Sequence, residues 1–133
     1  SALHAFYLQK KYPSVEVSVS FPRLRPLAGE FHVEHPVNDS MFVQMMTAMR
    51  IFMPSAGITV STRESEEFRN AVARLGVTKM SAGVSTAVGS HSEEPSTAQF
   101  EIADTRSVDK MKSDLVAMGF QPVMHDWNRR YIL

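Results

Sequence analysis

Short β-branched runs alternate with runs of helical period along this chain, and that alternation limits the folds open to it more than any other feature. Val15, Val17 and Val19 are separated by Glu16 and Ser18, the two-residue period of a strand. The strand runs into Phe21-Pro22-Arg23-Leu24-Arg25-Pro26, where the prolines call for an extended, irregular loop. Asn38, Asp39 and Ser40 then offer caps for a helix whose apolar face is Phe42, Met45, Met46, Met49 and Phe52, ended by Pro54. Residues 57–61 read as a second strand, and Thr62 or Ser65 can cap a second helix carrying Phe68, Ala71, Val72 and Leu75. Glu64, Glu66 and Glu67 lie where the helix dipole favours negative charge, and Gly76 is placed to close the helix. Residues 77–82 read as a third strand and 99–103 as a fourth, followed by a Ser107-capped helix over 108–118. Residues 3–12 read as the end of a helix stopped by Pro13, and 120–133 as a tail. About four strand-helix units predict an α/β chain with a parallel sheet, whose two faces both need cover. Residues 84–98 are loop-like in composition and are expected to be flexible.

Composition bounds the function. At 133 residues the chain suits a single domain. Its 14 basic and 14 acidic side chains cancel, so no broad basic field is present to capture nucleic acid or an anionic membrane. No stretch approaches the roughly 20 apolar residues that span a bilayer, and no basic leader precedes Leu3, so a soluble, cytoplasmic protein is expected. The start falls inside an apolar helical pattern, Leu3, Phe6 and Tyr7, as a fragment cut within a helix would. The absence of cysteine excludes a disulfide framework, a thiolate metal site and a cysteine nucleophile from these residues.

Loops at the carboxyl ends of parallel strands build the sites of such folds. Those positions hold Arg23 and Arg25, then Ser61, Thr62, Arg63 and Glu64, then Ser81, Gly83, Ser85 and Thr86, then Asp104 and Arg106. Guanidinium forks completed by hydroxyls can grip carboxylate or phosphate, so an anion-binding mouth is one reading; solvated or helix-start charges are the other. In the segment 30–35 an extended chain would place Glu30, His32 and Glu34 on one face and His35 on the opposite one, which disfavours a metal cluster. The methionines of the helix that Pro54 ends read as core filling. His91, and His125 beside Asp126, read as solvated or capping groups, since no nucleophile is spaced to use them.

Several motifs carry a resemblance: Pro22-Arg23-Leu24-Arg25-Pro26, Gly29-Glu30-Phe31, Ser61-Thr62-Arg63-Glu64, Ser81-Ala82-Gly83, the run from Gln99 to Ser107, and Asp126-Trp127. In that order they resemble the carboxyl-terminal part of the 2-iminoacetate synthase family, the radical S-adenosylmethionine tyrosine lyases of thiazole biosynthesis. The resemblance implies that residues 1–133 form half of a (β/α)8 barrel of the TIM type, about four parallel strand-helix units. It implies a parent enzyme that uses a 4Fe–4S cluster and S-adenosylmethionine to cleave L-tyrosine into 2-iminoacetate and p-cresol. Ser61 and Arg63 would hold the tyrosine carboxylate, with Arg23 and Arg25 lining the same mouth; no catalytic residue is implied here. The family's cluster motif, CxxxCxxC, lies in its amino-terminal half, so this chain is expected to carry no cofactor or metal of its own, to be inactive alone, and to pair through open sheet edges. Hydrogenase-maturation relatives carry extra carboxyl-terminal cysteines that are absent here, which points to the thiazole branch. An alternative role is a module that docks the parent onto its thiazole synthase partner.

Overall fold

The structure is a computed structural model that describes residues 1–24, 33–84 and 102–124. Helix α1, Ala2–Lys11, precedes strand β1, Ser18–Ser20. Helix α2, Asp39–Phe52, leads to strand β2, Gly57–Val60. Helix α3, Glu66–Val72, continues through a 3-10 turn over Ala73–Leu75 to strand β3, Lys79–Met80, and helix α4 spans Val108–Ala117.

Local chemistry sets these boundaries. The Asn38 side chain accepts the amide of Met41 at 2.9 Å, Ser65 that of Phe68 at 3.3 Å, and Ser107 that of Lys110 at 3.3 Å, each satisfying a donor that the first helical turn leaves orphaned. Of the two caps open to α3, Ser65 is the one used; Thr62 lies in the turn before it. Gly76 ends the 3-10 turn at φ 95°, a left-handed conformation that glycine adopts without penalty. Strand β1 begins later than the valine alternation suggests, because the Val15 amide bonds back to Tyr12 in a turn.

The three strands are parallel in the order β1-β2-β3, with Val19 opposite Ile58 and Val60 opposite Met80. Parallel neighbours need a crossover, and α2 and α3 supply it. Gly57 lies close against β1: a Cβ there would stand 2.7 Å from Ser18 Oγ. Val19, Ile58 and Val60 turn one face of the sheet into a core with Phe42, Met46, Val72 and Phe68, and Ala5, Met49, Met53 and Ala56 extend it beneath α1. Phe42 and Phe68 meet edge to face, with ring centroids 5.2 Å apart.

The opposite face is polar. It carries Ser18, Ser20, Thr59 and Lys79; the Ser18 and Thr59 hydroxyls are 3.2 Å apart, and Lys79 pairs with Glu16 at 3.2 Å. Serine and threonine at alternate strand positions give this face its polar character. The α/β class and parallel pairing are observed, with three strands among the described residues where four were expected. Of the expected fourth strand, 99–101 lie outside the described residues, and Ile102 and Ala103 are not in a strand: the Ala103 amide bonds to the Thr62 carbonyl at 2.9 Å. Among the described residues no helix is long and apolar enough to cross a membrane.

Candidate functional site

The segments following the strands meet at one end of the sheet. After β2, Ser61 to Glu64 form a tight turn closed by the Glu64 amide on the Ser61 carbonyl at 3.3 Å, with the Ser61 hydroxyl accepting the Arg63 amide at 3.4 Å. Burial alternates along it. Thr62 and Glu64 are 3% and 1% exposed, whereas Ser61 and Arg63 are half-buried.

Each buried member is held by a different neighbour. The Glu64 carboxylate receives Arg23 Nε at 3.0 and 2.9 Å on its two oxygens, and Arg23 Nη2 as well. Arg23 Nη1 reaches Asp39 at 2.6 Å and the Val37 carbonyl at 3.2 Å, while its guanidinium lies over Phe68 and Phe42, 4.7 and 5.2 Å from their ring centroids. The hydrogen bond to Glu64 raises the Arg23 pKa above its ordinary value, against the effect of burial. The Thr62 carbonyl accepts two amides, from Ala103 at 2.9 Å and Asp104 at 3.1 Å.

That second anchor is itself held by charge. Asp104 is buried between Arg69 and Arg106, receiving Arg69 Nη1, Arg106 Nη2 at 2.7 Å and Arg106 Nε at 3.0 Å. Arg69 Nη2 also donates to the Ser81 carbonyl, so this one cation ties α3 to the segment after β3 and to the stretch before α4. Burial pushes the Asp104 carboxyl upward, but hydrogen bonds from Arg106 and the Arg69 charge more than offset it and leave its pKa at about 2. Burial lowers the Arg69 pKa, partly offset by Asp104, and its Nε is a buried donor with no partner among the described residues. The hydrogen bond to Asp104 raises the pKa of Arg106, whose Nη1 continues to Asp114 at 2.8 Å and Asn70 at 3.1 Å. The salt bridge from Lys110, then the bond from Arg106, hold the Asp114 carboxyl below the usual range.

The anion-binding mouth expected from the sequence is thus divided. Arg23 and Arg106 are engaged by the chain's own carboxylates, Ser61, Arg63 and Ser81 are half-buried, and Gly83 is exposed. Arg25, Ser85, Thr86, His32, His91 and His125 lie outside the described residues, as do 85–98 of the expected flexible loop and 125–133 of the tail. His35 is exposed, and among the described residues no group of three His, Cys, Asp or Glu side chains could hold a metal. Arg69 escaped the sequence reading. Its one signal is spacing, since it shares a helix face with Val72 and Ala73, both buried.

Residues 20–121 match the biotin and thiamin synthesis associated domain. The chain is 37% identical over 128 residues to a 2-iminoacetate synthase of Salmonella typhimurium, and 36% identical to that of Escherichia coli, covering 96% of this chain and 34% of each relative. It therefore spans about a third of the length of these curated relatives. Among solved structures it is similar to the FeFe-hydrogenase maturase HydG of Carboxydothermus hydrogenoformans, with TM-score 0.73 and 33% identity over 90% of this chain and 27% of that one. A second crystal structure of HydG gives TM-score 0.76 and 34% identity over 88% of this chain and 26% of that one.

Proposed function

Because the chain belongs to the biotin and thiamin synthesis associated domain family, we propose that it serves as the carboxyl-terminal part of a cytoplasmic tyrosine lyase. That enzyme cleaves L-tyrosine into 2-iminoacetate and p-cresol, the former destined for the thiazole of thiamine. The task of these residues is to hold the amino-acid substrate at the carboxyl end of the sheet. The observation that carries this reading is the turn after β2, in which Arg63 and the Ser61 hydroxyl are set two residues apart on a fixed backbone. A guanidinium can donate two parallel hydrogen bonds to a carboxylate and a neighbouring hydroxyl a third. Identity to 2-iminoacetate synthases across nearly the whole chain supports the substrate class.

The residues present do not suit the iron–sulfur cluster of a radical S-adenosylmethionine enzyme. The chain has no cysteine, and thiolates are the cluster's ordinary ligands. The cluster is therefore assigned to other parts of the parent enzyme, and the 133 residues alone to an inactive state. The three-stranded parallel arc, apolar toward its helices and polar on its other face, accords with a sector of a closed barrel whose interior is that polar face. Its edges, unpaired among the described residues, are expected to drive self-association of the isolated chain, and a compact monomer by light scattering would refute this. The alternative reading is a module that docks onto the thiazole synthase partner; a pull-down that survives removal of 120–133 would exclude the tail as the contact.

The test of the substrate assignment is Arg63→Ala in the full-length protein. Losing charge-assisted hydrogen bonds worth roughly 1.5–3 kcal/mol raises the KM for tyrosine about 10- to 150-fold. An unchanged tyrosine requirement would overturn the assignment.

A further inference from the structure

We propose that Glu64 and Arg23 form a positioning pair that sets the pose of Ser61 and Arg63 through the turn, without touching the substrate. The inference rests on the reading that Ser61 and Arg63 hold the carboxylate of the amino acid. Glu64 is the residue that closes the turn, its amide on the Ser61 carbonyl, and its side chain is 1% exposed. A carboxylate buried to that degree needs a counter-charge, and Arg23 brings it from the loop after β1, with Nε and Nη2 on Glu64 and Nη1 on Asp39 and the Val37 carbonyl. The Phe42 and Phe68 rings against the guanidinium, and its 12% side-chain exposure, confine it further. Arg23 therefore couples the end of β1 to the turn after β2, and displacement of either charge moves the peptide that carries Arg63.

A double-mutant cycle on the full-length protein separates this role from direct binding. Arg23→Gln and Glu64→Gln each raise the KM for tyrosine about tenfold with kcat held within about twofold, the signature of lost ground-state binding. The double variant is no worse than either single one, because both disturb the same turn. Multiplication of the single effects to about a hundredfold would show Arg23 acting on the substrate independently, and would overturn the proposal. So would an unchanged KM in the single variants, or a fall in kcat with KM unaltered, which a merely structural role produces. Glu64→Asp guards against collapse, since it keeps the buried charge and shortens the reach by one methylene. It raises the tyrosine KM severalfold at an unchanged melting temperature, and an unchanged KM counts against the pair. Arg63→Ala measured alongside distinguishes the two readings. An unaltered KM there removes the substrate assignment itself, whereas a raised KM there with independent Arg23 and Glu64 effects removes only the positioning role.

Discussion

Replacing Asp104 by Asn leaves the shape of the side chain almost intact and removes the charge that two buried guanidinium groups share. In the native cluster one carboxylate oxygen accepts Arg106 Nε at 3.0 Å and the Arg106 amide at 3.1 Å, and the other accepts Arg106 Nη2 at 2.7 Å and Arg69 Nη1. An asparagine can answer only one of these oxygens as an acceptor and turns its NH2 toward a cation at the other. Breaking a buried pair from one side costs about 3–5 kcal/mol, so urea denaturation followed by circular dichroism should lose that much at pH 7. The pH dependence isolates the charge. The Asp104 pKa falls from 3.8 to about 2 on folding, equivalent to about 2 kcal/mol of stability. A depressed carboxylate contributes this above its unfolded pKa and loses it as pH falls through the folded one, so about half is gone by pH 3. Asp104→Asn has no such proton to take up, and the gap between the two proteins narrows by about 1 kcal/mol between pH 7 and pH 3. A gap that stays constant over this range, or a gap below about 1 kcal/mol at pH 7, would refute the role assigned to the cluster.

Two further substitutions probe the frame that carries the site. Gly76→Ala forces a Cβ into φ 95° and to 3.0 Å from Arg50 Nε; it should cost about 1–2 kcal/mol in thermal unfolding, and a neutral effect would show that the 3-10 turn can re-form without a left-handed residue. Thr78→Val removes the hydroxyl that accepts the Ile58 amide at 2.8 Å, leaving a buried donor unmet; a loss of about 1–3 kcal/mol is expected, with faster hydrogen exchange at the Ile58 amide as the local marker.

Periodicity and capping chemistry carried the elements, and tertiary ion pairs carried what periodicity could not. Asn38, Ser65 and Ser107 are caps because a short polar side chain before an apolar run has an orphan amide within reach, and that is local information. Phe42, Met46 and Met49 fill the core as their spacing requires, yet Met45 and Phe52 on the same pattern remain 43% and 44% exposed among the described residues. The site was legible as a set of positions at strand ends. Which of its charges face solvent was not, because it depends on partners far away in sequence: Arg23 on Glu64, and Arg69 on Asp104. Arg69 shows the limit most clearly, as its neighbours on α3 mark it as a buried position while its residue type marks it as a surface one.

The turn after β2 alternates buried and accessible side chains over four consecutive residues, Ser61 to Glu64. Heritable change in ligand preference and heritable change in fold are thereby assigned to different codons. Exchange at 61 or 63 alters what the rim presents while Thr62 and Glu64 keep its backbone in place. Exchange at 64 would strand the Arg23 guanidinium that its buried carboxylate receives, and exchange at 62 must fit a side chain that is 3% exposed. Lineages that adopt a new substrate on this scaffold are expected to vary at the odd positions of the turn and to keep the even ones.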